Sequence, residues 1–401
     1  MTPLDVTLEG ADVLWPSGLG GGPLSIRDGV IVADAGQRCA DLTGFQVLPG
    51  LVDAHGDGFE HHLAPRRGAL ADPAQGLPAA EAELAASGIT TAVLAQFLSW
   101  EGGMRGPDFA ARLLAGLDRV RGTLATDLRV QLRLETAWLE AYPELERLVA
   151  RYGIDYVVFN DHVPHAALGA GKRPARLTGQ ALKAGRSPEA HLALLHRLHD
   201  NAGAMPAALT ALAARLLARG VRLGSHDDAT ARDRHAAHDR GARIAEFPET
   251  AEAARAACAL GDRVVMGAPN LVRGGSHNGN ANAREIVSEG LVDALASDYH
   301  PPSMVRAAFA LLDEGICDLA AAWRLVSRGP AQMLGLADRG ELREGLRADL
   351  TVIAPETRRV VATLSAGRVS YMTGEVAARL VMASGAPREG RNPIAARGPS
   401  L

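Results

Sequence analysis

LPGLVDAHGD, residues 48–57, is an apolar run that ends on two polar side chains, His55 and Asp57, one residue apart. Side chains alternate along an extended chain, so a buried strand leading into His-x-Asp presents an imidazole and a carboxylate on one side. One metal ion could touch both. A lone histidine at a strand end is more often a hydrogen-bonded structural residue than a ligand. The motif gains weight because further His, Asp and Glu residues close short apolar runs downstream.

Those runs set the fold. From residue 50 to 335 the chain alternates short apolar segments with amphipathic ones. The expected strands are 51–55, 89–94, 128–135, 154–160, 221–226, 242–247, 263–268 and 291–297. Helical segments lie between them: 206–219 opens with Pro206 and is closed by Gly220, and 249–260 is closed by Gly261. Eight such β-then-α units predict an α/β fold, a (β/α)8 TIM-like barrel. The rival is an open doubly wound sheet, and no glycine-rich dinucleotide fingerprint follows a strand to support it.

The two ends read differently. VTLEGADVLW (6–15), PLSIRDGVIVADA (23–35) and FQVLPG (45–50) alternate apolar and polar residues around glycine-rich breaks, as β-hairpins do. The pattern returns at 348–355 and 358–374. The expected organisation is therefore a small β-sandwich from 1–48 plus 338–380, a barrel at 49–337 and a C-terminal tail at 381–401.

Composition limits the functions available. A chain of 401 residues with 47% hydrophobic content can bury a large core, and a net charge of -4 argues against general polyanion binding. Cys39, Cys258 and Cys317 are isolated, which argues against disulfides and cysteine-ligated zinc. No apolar run approaches roughly 18 residues and the start lacks a basic signal region, so a soluble, cytoplasmic protein is expected, with no membrane or nucleic-acid partner.

In a barrel, polar residues that close strands gather at the carboxyl end, where barrel active sites lie. His55 and Asp57 follow the first strand, Glu135 closes the third, His162 follows the fourth, His226 closes the fifth and Asp298 follows the eighth. Three imidazoles and three carboxylates suit one or two divalent ions, zinc first, with manganese, iron or nickel as alternatives. Glu246 also ends a strand and is a candidate to replace one of the six. Asp227 and Asp228 are expected to cap the following helix and to support the ligands. His191, His196 and His199 are expected on an exposed helix face, and His61, His62, His165, His235, His238 and His300 are given no role.

GAPNLVRGGSHNGN, 267–280, is expected as a loop leaving the seventh strand. Gly274 and Gly275 let backbone N–H groups converge on an anion, and Arg273 offers a fork for phosphate. Asn270, Ser276 and His277 add polar side chains for substrate. The segment 163–205 is a long, locally basic insertion carrying Lys172, Arg173, Arg176, Lys183 and Arg186, and reads either as a lid or as a solvated helical excursion. Lys172 is the candidate substrate contact within it. Arg66 and Arg67 could add positive charge over the same mouth.

LPGLVDAHGD, GITT (88–91), NDHVPHA (160–166), SHDDAT (225–230), IAEFPET (244–250), GAPNLVRGGSHNGN and ASDYHPPS (296–303) together resemble the amidohydrolase superfamily, within it the diphosphatases of the carbon–phosphorus lyase pathway. The correspondence runs in order over most of 45–350 and extends to DRGELREGLRADLTV (338–352). The region after Asp57 drifts, and 167–187 lacks an expected tyrosine-rich stretch. The resemblance implies a metal-dependent hydrolase with a barrel and a split sandwich. It implies metal ligation by His55, Asp57, Glu135, His162, His226 and Asp298, with Glu135 as the bridging carboxylate and Asp298 as the proton acceptor. The implied reaction is hydrolysis of a phosphoanhydride in a ribose 1-methylphosphonate 5-triphosphate, or a related phosphorylated sugar, with release of pyrophosphate. The alternative is cleavage of an amide or cyclic amide at the same centre. A non-catalytic metal-binding scaffold is a third reading, against which all six residues are present. Homo-oligomer formation is compatible with the sequence.

Overall fold

The computed structural model describes residues 2–33, 38–66, 69, 72–274 and 282–383. Its centre is an eight-stranded parallel sheet: β1 Leu51–Gly56, β2 Ile89–Leu98, β3 Asp127–Glu135, β4 Tyr156–Asn160, β5 Arg222–His226, β6 Ala242–Glu246, β7 Arg263–Gly267 and β8 Ala294–Ala296. The strands pair in sequence order. A parallel bridge between Gly56 and Asp298 brings the two edges together, so the sheet curls into a nearly closed barrel. Both faces are covered, which is why strands such as β2 are buried at every position and read as continuous apolar runs.

Alternation sorts each strand between two layers. On β3, Leu128, Val130, Leu132 and Leu134 pack outward against the helices, leaving Gln131, Arg133 and Glu135 for the interior. On β4, Tyr156 and Val158 face inward and Val157 and Phe159 outward. The inner layer of Val52, Ala54, Val93, Val158, Ile244 and Val265 is plugged by Met333, Leu334 and Leu336 from the segment after the last barrel strand.

On β1 a register shift places four residues, Asp53 to Gly56, against three of β2, Ala92 to Leu94. The extra residue reverses the alternation. Val52 and Ala54 face the inner apolar layer, yet His55 also reaches the interior, where it meets groups from β3 and β6. Gly56 is required beside the bulge: a Cβ there would lie 2.8 Å from both Asp53 Oδ2 and Ser297 Oγ.

The closure is held by Asp53, which is fully buried and accepts hydrogen bonds from Ser297 N at 2.9 Å and Ser297 Oγ at 2.6 Å. Beside it, Asp298 N donates to His55 O and Asp57 N donates to Asp298 O. These main-chain bonds set the residues after β1 against those after β8.

The two chain ends form two further sheets. One orders the strands 30–32, 24–27, 6–9 and 39–41; the other orders 368–372, 359–365, 350–354, 46–49, 12–15 and 18–20. Gln46–Pro49 pairs antiparallel with Leu350–Ala354, so the N- and C-terminal segments meet in one sheet. Val6, Leu8, Leu24 and Ile26 of the first sheet share a core with Val13, Val47, Leu350, Val352 and Leu364 of the second. The expected tail lies outside the described residues from 384 on.

The insertion after β4 is helical, at His165–Gly169, Leu177–Lys183 and Pro188–Asp200. Leu168, Leu177, Leu195 and Leu198 pack with Trp100, Ala137 and Val163, so it is anchored over the ends of β2 to β4 by its own apolar core. Arg186 adds a hydrogen bond to Trp100 O at 2.7 Å. No helix among the described residues is long and apolar enough to cross a membrane.

Candidate metal centre

His55, Asp57, Glu135, His162, His226 and Asp298 all occupy the carboxyl ends of barrel strands or the residues just beyond them. The structure divides them. His55 and His226 converge with Glu246, and one ligand atom from each lies within 4.8 Å of the other two. Glu246 Oε2 stands 2.8 Å from His55 Nδ1 and 3.2 Å from His226 Nδ1. The two imidazoles stack at 5.3 Å between centroids, and Phe247 presents its edge to both.

A second pair sits on β3 and β4. His162 Nδ1 is 2.5 Å from Glu135 Oε1, and His162 N donates to Glu135 Oε2 at 3.0 Å. Asn160 and Trp100 also donate to the Glu135 carboxylate. Asp57, Glu135, His162 and Asp298 are not part of the three-residue group, so the six residues read from the sequence do not share one set of close contacts.

Glu246, the candidate replacement for one of the six, is the carboxylate that joins His55 and His226. It lies on the same face of β6 as Ile244, inside the barrel, and is fully buried. Asp57 lies beyond Gly56, the last residue of β1, with its backbone tied to Asp298. Tyr156 donates to Glu246 Oε1 at 2.6 Å, and Gln131 Nε2 approaches both His55 Nδ1 and Glu246 Oε2.

Burial opposes charge on Glu246. The charge of His55, together with hydrogen bonds from His226 and His55, outweighs that cost and holds the carboxyl well below the usual range. Burial and then the Arg133 charge push His226 well down, keeping its ring neutral and able to act as a ligand. On His162 burial works against protonation, but the bond to Glu135 and the carboxylate's charge raise its pKa.

Asp298 is pushed up to about 6 by burial and then by the neighbouring Asp57 charge. Asp227, 3.6 Å from His226, is likewise pushed up to about 6, chiefly by burial. Asp227, Phe247 and Asp298 all have φ between 53° and 60°. Three non-glycine residues in the left-handed region, each just past a barrel strand, mark backbone strain gathered at this mouth.

Arg133 is a residue the sequence reading missed. Its side chain is nearly buried, stacks 3.9 Å from the Phe97 ring centroid and places Nη2 2.8 Å from His226 Nε2. The signal was the spacing Gln131-x-Arg133-x-Glu135, which sets three polar groups on the inner face of one strand.

The capping role expected for Asp227 and Asp228 belongs instead to Thr230, which forms a capping box with Asp233 at the helix Ala231–Asp239. Asp228 is a support: its carboxylate accepts from Ser225 Oγ at 2.6 Å and from Arg234 at 3.0 Å, fixing the residue before His226. A cavity of about 340 Å³ opens beside His162 and His226, lined also by Asn160, Asp161 and Asp227.

The expected loop at 267–280 is corrected in its first half. Ala268–Arg273 is a helix, because Pro269 suits its first turn, Ala268 and Leu271 are buried, and Gly274 ends it at φ 79°. Asn270 Oδ1 accepts from Arg273 Nη2 at 2.8 Å, so the exposed Arg273 folds back over this helix. Gly275, Ser276 and His277 lie outside the described residues, as does Arg67. Lys172 is exposed on the insertion. His191 is fully buried rather than on an open face, 5.7 Å from the Trp100 ring, whereas His196 is exposed and His199 contacts His165.

Two imidazoles and a carboxylate, buried and free of thiolates, form a donor set of the kind that takes zinc, manganese, iron or nickel. The convergence of His55, His226 and Glu246 fits a divalent cation.

Comparisons with known proteins agree with the barrel fold. Residues 173–385 match the model of an amidohydrolase family. The chain is 35% identical over 350 residues to the alpha-D-ribose 1-methylphosphonate 5-triphosphate diphosphatase of Escherichia coli K12, covering 82% of this chain and 90% of that one. Among solved structures, a prolidase from Bifidobacterium longum superposes with a TM-score of 0.61 at 14% identity, over 95% of this chain and 99% of that one. The N-acetylglucosamine-6-phosphate deacetylase of Pasteurella multocida gives 0.59 at 13% identity, over 91% and 99%. The dihydropyrimidinase of Brevibacillus agri gives 0.55 at 15%, over 92% and 95%. At such identities these structures speak for the fold alone.

Proposed function

Because the chain belongs to the amidohydrolase family, we propose that it is a metal-dependent diphosphatase acting on alpha-D-ribose 1-methylphosphonate 5-triphosphate or a related phosphorylated sugar. The observation that carries the reading is the 35% identity to the Escherichia coli diphosphatase, spread over 82% of the chain. The buried group of His55, His226 and Glu246 supports the metal dependence.

His55, His226 and Glu246 would hold the cation, with Asp57, Glu135, His162 and Asp298 as further donors around the same mouth. A divalent ion bound there lowers the pKa of water from roughly 15.7 to about 7 and neutralises charge on phosphoryl oxygens. Asp298, with its raised pKa, takes the proton of the attacking water. The water oxygen bonds to the α-phosphorus, the bond from that phosphorus to the bridging oxygen breaks, and pyrophosphate leaves with the bond electrons. The sugar keeps a 5-phosphate. Arg133 supplies positive charge from the inner face of β3, while Asn270, Arg273 and Lys172 supply polar and cationic contacts for the outer phosphates. Gly274, Gly275, Ser276 and His277 are the further residues proposed to contact those phosphates.

The test is a paired assay on metal-loaded enzyme, with pyrophosphate release from ribose 5-triphosphate esters set against cleavage of amides and cyclic amides. Pyrophosphate release that disappears on chelation is the expected result. Amide cleavage without pyrophosphate release would overturn the substrate class and leave the metal chemistry standing.

A further inference from the structure

We propose that His61, His62 and Glu83 form a second divalent-cation site that clips the segment after β1 to the helix Pro73–Ala86. The site uses none of the ligands invoked above and does not depend on the reaction proposed there.

Adjacent residues on a helix point about 100° apart, so neighbouring histidines ordinarily address different surroundings. Here they converge. On the single turn Glu60–Leu63, the two rings lie 4.0 Å apart between centroids, and both Nε2 atoms approach the same oxygen of Glu83. His62 Nε2 is 2.8 Å and His61 Nε2 3.2 Å from Glu83 Oε2. One ligand atom from each of the three residues lies within 4.8 Å of the others.

The arrangement is close to what a cation needs. Tetrahedral zinc with bonds of about 2.0–2.1 Å places its ligands roughly 3.3 Å from one another. Opening the carboxylate-to-imidazole separations by a few tenths of an ångström would admit the ion. Hydrogen bonding without metal requires each Nε2 to carry a proton toward one shared oxygen, whereas a cation takes both nitrogen lone pairs and the carboxylate charge together. Two imidazoles and one carboxylate favour zinc, nickel, copper or cobalt over magnesium or calcium. His61 and Glu83 are partly open to solvent, which leaves the remaining coordination position to water.

The placement gives the clip a consequence. His61 and His62 follow Asp57 by four and five residues, and Leu63 beside them is fully buried. Glu83 lies in the last turn of the helix Pro73–Ala86. A cation bridging them fixes residues 57–63 against that helix and so stiffens the barrel mouth where Asp57 sits.

The experiment compares wild type with the variant His61→Gln/His62→Gln, both purified with the barrel metal in place, dialysed and titrated with Zn²⁺, and with Co²⁺ as a spectroscopic probe. Wild type is expected to take up one equivalent more than the double variant. The visible Co²⁺ bands of that equivalent and its Zn²⁺-induced rise in Tm should be missing from the variant. Glu83→Gln should weaken the added equivalent at least about tenfold. The far-UV circular dichroism and the Tm without added Zn²⁺ should match those of wild type, which shows that the double variant folds. Equal metal stoichiometry and affinity in wild type and a folded double variant would overturn the proposal. Should the double variant fail to fold, His62→Gln alone gives the same comparison.

Discussion

Arg133 Nη2 lies 2.8 Å from His226 Nε2, so a buried guanidinium and a cation compete for the same imidazole. An Arg N–H can only donate, so this contact uses the Nε2 lone pair and leaves the proton on Nδ1, the atom facing Glu246. A cation bound at Nδ1 needs the opposite tautomer, with the proton on Nε2, and Arg133 must then turn away.

Replacing Arg133 should therefore separate metal binding from catalysis. Arg133→Gln removes both the competing donor and a positive charge near the cation. The metal dissociation constant should fall at least about tenfold, equivalent to about 1.4 kcal/mol. Turnover on a triphosphate should drop, because charge on the phosphoryl oxygens loses a cationic partner. Metal titration and steady-state kinetics on the same preparation check both directions. Unchanged metal affinity would show that the guanidinium does not compete.

Glu246 should matter more to metal retention than Asp57. Glu246→Gln keeps the shape but removes the charge facing two imidazoles and turns one acceptor oxygen into a donor. Its metal affinity should fall by about 10–100-fold or more. Asp57→Asn, outside the close group, should retain metal better. Metal content after dialysis ranks the two, and the reverse order would restore Asp57 to the place that the sequence suggested.

That contrast shows where sequence reading worked and where it stopped. Eight apolar runs announced eight strands because a covered parallel strand leaves no polar alternation to confuse the pattern. The sandwich was legible for the opposite reason, since half-exposed hairpins alternate. The meeting of His55 with Glu246 was not legible because the bulge before Gly56 changes the phase of β1, and bulges leave no mark in a period-two pattern. Arg133 was passed over because an arginine in a strand reads as outward-facing. His191 was readable in principle: with Leu195 and Leu198 it makes an i, i+4, i+7 stripe, and all three are buried.

Activity should have an acid limb set by Asp298. Burial and the Asp57 charge raise its carboxyl to about 6, and the proton acceptor works only when ionised. Below that value the active fraction falls about tenfold per pH unit, and it is restored as pH rises. A nearby cation favours the ionised form, so the limb of the loaded enzyme should lie at or below about 6. Asp298→Asn should remove the limb and cut turnover by about 10²–10⁴-fold while keeping the fold. A wild-type profile flat through the acid range would remove Asp298 from the proton transfer.

Barrel closure should depend on Asp53 more than on any charge it carries. Its buried carboxylate accepts from Ser297 N, Ser297 Oγ and His55 N, joining β1 to the residue after β8. Asp53→Ala leaves a buried N–H and a buried hydroxyl unpaired and should cost about 2–4 kcal/mol. Burial pushes the Asp53 pKa up, so its charge does not stabilise the fold, and Asp53→Asn, which keeps one acceptor oxygen, should cost less than Asp53→Ala. Denaturant midpoints at unchanged slope measure the difference. If the two variants unfold at the same midpoint as wild type, the Asp53–Ser297 contact does not hold the barrel shut, and the closure rests on the main-chain bonds between His55, Asp57 and Asp298.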